Sequence, residues 1–261
     1  MHPPSAGRGE SVGDFILETA GLTKEFAGFT AVRGVDLHVR RGTIHALIGP
    51  NGAGKTTVFN LLTKFLEPTS GTILYNGRDI TREAAPDVAR RGMVRSFQIS
   101  AVFPHLTVRE NVRIALQRPL GTSFYFWRSA KSLAALDPRA DALLASVGLQ
   151  DYIHATAPEL PYGRKRALEI ATTLALEPEM LLLDEPMAGL GSEDIRRISG
   201  LIREVAKNRT VLMVEHNLSV VADLSHTITV LTRGHILAEG SYAEVSKNAE
   251  VREAYMGTGH A

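Results

Sequence analysis

Gly49-Pro50-Asn51-Gly52-Ala53-Gly54-Lys55-Thr56 fills the pattern G-x-x-x-x-G-K-[ST] at every fixed position. Ile44 to Ile48, which reads as a strand, precedes it, and Val58, Leu61, Leu62, Phe65 and Leu66 follow at helical spacing. A strand before and a helix after are the context this pattern requires. Glycines let the backbone turn its N–H groups inward and approach a phosphate closely. The helix N-terminus adds partial positive charge. Lys55 can neutralise β- and γ-phosphate oxygens, and the Thr56 hydroxyl can ligate Mg2+. The stretch therefore predicts a nucleoside triphosphate site but leaves kinase, GTPase, motor and pump open.

Downstream, Met180-Leu181-Leu182-Leu183-Asp184-Glu185 is an apolar strand ending in two carboxylates. In a sheet buried on both faces, that end is where ligands bind. Asp184 is expected to help hold Mg2+ and Glu185 to polarise the attacking water as general base. Alternation along a strand points neighbours to opposite faces, so both acids can serve one site only if the chain turns at the strand end. Val211-Leu212-Met213-Val214-Glu215-His216 repeats the pattern. His216 is placed to contact the γ-phosphate or to orient water and Glu185.

Around these motifs the chain reads as strands alternating with helices, which predicts a mostly parallel sheet covered on both sides. Upstream, Val35, Leu37 and Val39 alternate with polar residues up to Gly42, a half-buried antiparallel strand. Gly71 to Asn76, closed by Gly77, reads as another strand and turn. Thr107 and Glu110 form a capping box that predicts a helix start, and Ala140 to Val147 reads as helix ending at Gly148. Further helices are expected at Arg164 to Leu176, Ser192 to Ala206 and Leu218 to Leu224. Ile228 to Leu231 and Ile236 to Ala238 flank a hairpin turn, and Ser241 with Glu244 caps a terminal helix. Phe124-Tyr125-Phe126-Trp127 suits neither period; it is a loop folding its rings onto the helices or a surface for a partner or membrane interface.

The 261 residues are 44% hydrophobic and 22% charged, enough for a sizeable core. With a formal net charge of +1, no global field draws the chain to nucleic acid. Cysteine is absent, which excludes disulfides and thiolate metal sites. Residues 1–14 read as a disordered tail without the apolar stretch of a secretory signal. No apolar run approaches the roughly 18 residues of a membrane span.

In this order the motifs resemble the nucleotide-binding subunit of ATP-binding cassette (ABC) transporters. Phe97-Gln98 resembles that family's Q-loop, Leu160-Pro161-Tyr162-Gly163-Arg164 its signature, Met187 to Gly191 its D-loop, His216 its switch histidine and Phe26 its adenine-stacking aromatic. The resemblance implies a P-loop NTPase of α/β class, residues 15–261, with a mostly parallel core sheet and an antiparallel β subdomain (about 15–98 and 164–261) and a helical subdomain (about 99–163). It implies ATP and Mg2+ as ligands. Nucleotide contacts would come from Phe26, Val32, Gly49, Pro50, Asn51, Gly52, Ala53, Gly54, Lys55, Thr56, Thr57, Tyr162 and Gly163. Metal contacts fall to Thr56, Gln98 and Asp184, and catalysis to Glu185, His216 and Gln98.

Within the family the chain is similar to cassettes of branched-chain amino-acid importers, through Gly28-Phe29-Thr30-Ala31-Val32, Lys55 to Asn60, Met187 to Leu190, Val214 to Asn217 and Val251 to Gly257. Urea or amide importers and lipopolysaccharide-exporting cassettes lie nearby. Implied partners are a second cassette, two permease subunits and, indirectly, a periplasmic binding protein, with the chain at the cytoplasmic face of the inner membrane. Pro161, Arg164 and Gly191 depart from the family's Ser, Gln and Asp.

Overall fold

The computed structural model describes residues 13–96, 102–118 and 133–256. The Phe97-Gln98 pair, the Phe124–Trp127 run and all but two residues of the expected tail lie outside them.

One layer is an antiparallel sheet of β1 (Phe15–Phe26), β2 (Phe29–Val35), β3 (His38–Arg40), β5 (Ser70–Tyr75) and β6 (Arg78–Asp79). The strand expected through Val35, Leu37 and Val39 is broken at Asp36-Leu37. The Thr19 hydroxyl, inside β1, accepts from the Leu37 N–H (2.9 Å) and donates to the Val35 carbonyl (2.8 Å), and the Asp36 carboxylate accepts from the Gly21 N–H (2.6 Å). Side chains thus take backbone partners that a continuous ladder would use.

The second layer runs β11 (His235–Gly240), β10 (Thr227–Thr232), β4 (Ile44–Ile48), β9 (Thr210–Val214), β8 (Met180–Asp184) and β7 (Met93–Arg95). All its pairings are parallel except β10 with β11. Strand periodicity explains why β4, β8 and β9 are buried at every residue. Leu181 and Leu183 enter one core with Val211 and Met213, while Met180 and Leu182 enter the other with Leu212 and Val214. Both faces are covered, so polar alternation has no place. The first core is closed by α3 (Val108–Gln117), α4 (Asp137–Ser146), α5 (Tyr162–Leu174), α6 (Ser192–Ala206) and α7 (Leu218–Leu224); the second, between the sheets, by α1 (Lys55–Leu62) and α2 (Ala85–Arg90).

Two helix expectations are corrected. Helix α1 stops at Leu62: Lys64 takes a left-handed φ of 62°, and Phe65 is 55% exposed. The terminal helix is two pieces. The Ser241 box caps only α8 (Tyr242–Val245), and the Asn248 side chain accepts from the Glu250 and Val251 N–H groups to start α9 (Ala249–Met256). The Thr107 box caps α3 as the sequence predicts.

From β4, a polar chain runs from buried His45 through buried Thr229 to the exposed Glu239. Thr229 Oγ1 donates to Glu239 Oε2 (2.5 Å), so the 2.7 Å contact from His45 Nε2 is the imidazole donating. Burial pushes His45 down from 6.5 to about 4. The folded value lies below the unfolded one, so stability is full above pH 6.5 and is lost as pH falls towards 4. The loss is roughly 3 kcal/mol across that window. Urea midpoints of wild type should therefore fall faster between pH 6.5 and 5 than those of His45→Gln; parallel curves would exclude His45 as the source.

Candidate functional site

The loop after β4 and the N-terminus of α1 wall a cleft of about 330 Å³, lined by Phe29, Ala31, the loop from Asn51 to Thr57, Glu185 and His216. Gly54 takes φ 103°, and a Cβ there would stand 2.7 Å from the Ala31 carbonyl oxygen, so no side chain fits without moving the backbone. Lys55 is buried. Its ammonium donates to the carbonyls of Gly49 (2.7 Å) and Pro50 (2.9 Å), which bends the side chain back over the loop. Burial pushes the Lys55 pKa down, and the carboxylates of Glu185 and Asp184 oppose that shift.

Glu185 settles how two neighbouring acids reach one end of the sheet. It adopts φ 47°, an uncommon value for a residue with a side chain. Its N–H donates to the Val214 carbonyl (2.9 Å), and its own carbonyl accepts from Ala188 N–H (3.1 Å) and Arg166 Nη2 (3.3 Å). The backbone is thus held on three sides in a strained conformation that turns the chain as β8 ends. His216 Nε2 lies 2.8 Å from Glu185 Oε1. With the carboxylate ionised, that nitrogen carries the proton.

Several residues that sequence reading passed over support this arrangement. Arg95, at the end of β7, pairs with Asp184 Oδ2 and donates to Asn60 Oδ1 (2.6 Å) on α1. One guanidinium therefore ties the strand leading to Gln98 to the acid of β8 and to the phosphate-loop helix. Glu215 is buried, and its carboxylate accepts from the N–H groups of Met187 (2.9 Å), His216 (2.8 Å) and Asn217 (3.0 Å). Three donors compensate its burial, and the turns carrying Met187 and His216 are pinned to each other.

Other expected contacts fall elsewhere. Val32 is 0% exposed, so it packs behind Gly54 and cannot touch a ligand directly, a correction to its place among the nucleotide contacts. Phe29, 62% exposed, lines the cleft; Phe26, 41% exposed, does not. Tyr162 and Gly163, at the start of α5, lie outside it too. The Tyr162 hydroxyl donates to the Ala188 carbonyl (3.3 Å). A Cβ on Gly163 would meet the Asp194 carboxyl carbon at 2.2 Å, so a side chain there would have to displace that carboxylate. Arg164 turns away from phosphate chemistry: its Nη1 donates to the Gly148 carbonyl (2.5 Å) past the end of α4, and its guanidinium lies 5.4 Å from the Tyr152 ring centre.

A phosphate loop at the carboxyl edge of a parallel sheet, faced by a Glu–His pair, belongs to a P-loop nucleoside triphosphatase. Residues 32–188 match the family described as ABC transporter, and residues 235–261 match a second family described as branched-chain amino acid ATP-binding cassette transporter. The chain is 40% identical over 251 residues to the high-affinity branched-chain amino acid transport ATP-binding protein LivG of Salmonella typhimurium, covering 93% of this chain and 98% of the relative. It is 39% identical over 252 residues to BraF of Pseudomonas aeruginosa, with the same coverage. The crystal structure of the ADP conformation of MJ1267, an ATP-binding cassette of an ABC transporter, matches with TM-score 0.81 and 31% identity, over 93% of this chain and 99% of that one. This chain belongs to the ABC transporter family and has its ATPase cassette fold. No helix among the described residues is long and apolar enough to cross a membrane.

Proposed function

We propose that this chain is the ATP-hydrolysing subunit of an importer of branched-chain, hydrophobic amino acids. The observation that carries the hydrolytic part is the convergence of phosphate loop, Glu185 and His216 on one cleft. The cargo rests on the C-terminal match over 235–261 and on the LivG and BraF relatives.

The N–H groups of the loop and the Lys55 ammonium hold the β- and γ-phosphates, with Phe29 at the base side. A water attacks the γ-phosphorus; its proton passes to Glu185, and the bond to the bridging oxygen breaks with its electron pair leaving on ADP. His216 holds the Glu185 carboxylate in place. Thr56 and Asp184 would hold Mg2+, which when bound supplies charge neutralisation at the phosphates. The donor set suits that ion. Among the described residues no group of three or more His, Cys, Asp or Glu could hold a metal alone, and Mg2+ takes a few protein oxygens with phosphate and water. Gln98 keeps its role towards metal or water on resemblance.

Tyr162 and Gly163 stand outside the chain's own cleft, which supports a pair of cassettes in which each start of α5 completes the other's phosphate site. The pair works against two permease subunits at the cytoplasmic face of the membrane, fed by a periplasmic binding protein. The experiment is uptake of radiolabelled leucine and urea by cells carrying the neighbouring transport genes, with and without this chain. Leucine uptake that depends on the chain is expected; dependence of urea uptake alone would move the cargo to the amide class.

A further inference from the structure

Helix α5 carries an ion pair one turn after its start. Arg166 and Glu169 stand three residues apart on one face of the helix, 7% and 2% exposed, and Arg166 Nη1 donates to Glu169 Oε2 (2.6 Å). The other arm of the guanidinium leaves the helix: Nη2 donates to the carbonyl of Glu185 (3.3 Å). Arg166 does not line the nucleotide cleft. The second oxygen of Glu169, Oε1, is buried and has no hydrogen-bond partner among the described residues.

A buried pair with an unmatched oxygen is a poor way to hold a helix. Desolvating two charges costs so much that apolar side chains of like volume often serve stability as well or better. What the pair does supply is a fixed, charged donor at a strained backbone position beside the cleft. Residue 185 sits at φ 47°, and a residue with a side chain leaves that region unless its peptide is held. Leaving it would take the carboxylate from His216 Nε2, and would take the carbonyl from Arg166 and from the Ala188 N–H, which share it. Strain of this kind favours the relaxed state roughly five- to thirtyfold. A hydrogen bond from a charged donor opposes it by roughly ten- to a hundredfold. The balance tips towards holding, and it tips back if the donor is removed.

We propose that Arg166 is a positioning residue for the general base Glu185, and that Glu169 is its anchor. The inference rests on the reading of Glu185 as the base. Arg166 acts through the backbone of residue 185 and sets the fraction of molecules in which that carboxylate stands beside His216 and the cleft.

The test is the full-length double variant Arg166→Met/Glu169→Leu, which replaces the pair with apolar bulk. Its melting temperature should equal or exceed that of wild type, and ATP affinity should stay within about twofold. Its kcat should fall about tenfold, because only molecules with the base in place react. In alanine-labelled protein, exchange of the Ala188 amide should speed up. Placed on Glu185→Gln, the same double change should lower the residual single-turnover rate by less than about twofold, since groups that act as one unit do not add. A stable double variant with wild-type kcat would overturn the proposal. So would a loss that falls on affinity, or an equal loss of rate in both backgrounds, which marks a structural pair. Should the double variant fail to fold, Arg166→Lys takes its place in the same comparison and the same outcomes decide, because one ammonium keeps a charge at Glu169 without the fork that spans two acceptors. Undiminished turnover in Glu185→Gln alone would instead sink the base reading, and the positioning role with it.

Discussion

Glu185→Gln leaves nucleotide affinity within about twofold of wild type and slows phosphate release by on the order of a hundred- to a thousand-fold, the usual worth of a positioned base. The geometry supports both halves. Glutamine is isosteric, so the turn at φ 47° and the backbone hydrogen bonds of residue 185 can persist. The loop and Lys55, which carry affinity, are untouched. What disappears is an oxygen able to take a proton, and the charge that His216 Nε2 faces at 2.8 Å. Equilibrium binding and single-turnover hydrolysis separate the two effects. Undiminished turnover would remove Glu185 from the base role.

Lys55→Ala is expected to weaken ATP binding by about a hundredfold or more, since hydrogen bonds to charged groups contribute about 1.5–3 kcal/mol each and a triphosphate offers this ammonium more than one oxygen. The residue has a second task. Its donation to the carbonyls of Gly49 and Pro50 cross-braces the turn, so alanine also loosens the cradle. Calorimetric titration with ATP checks the loss, and Lys55→Met, which keeps the bulk but removes both the charge and the donors, separates the ammonium's part from that of side-chain volume. Wild-type affinity in both would overturn the assignment of the phosphate loop.

How far the sequence reached follows from what kind of signal each feature leaves. Gly49 to Thr56 was legible because its residues serve one local task at fixed spacing, and the apolar β8 because burial on both faces writes a continuous run. Arg95 and Glu215 left no such trace. Their roles exist only once β7 lies beside β8, and β8 beside β9, which no local pattern encodes. Alternation through Val35, Leu37 and Val39 correctly marked three buried side chains. It missed the break between them because the competing partner, the Thr19 hydroxyl, is more than fifteen residues away. Val32 was misplaced for a related reason: a residue next to a ligand loop in space can stand behind it.

Arg164 replaces the glutamine usual to the family's signature, and its reach to Gly148 and Tyr152 has a mechanical result. The start of α5 is bolted to the far end of α4, so the two cannot swivel independently about the intervening turns. Any shift of α5 against α4 must break that hydrogen bond and unstack Arg164 from Tyr152, so these contacts oppose movement of one helix without the other.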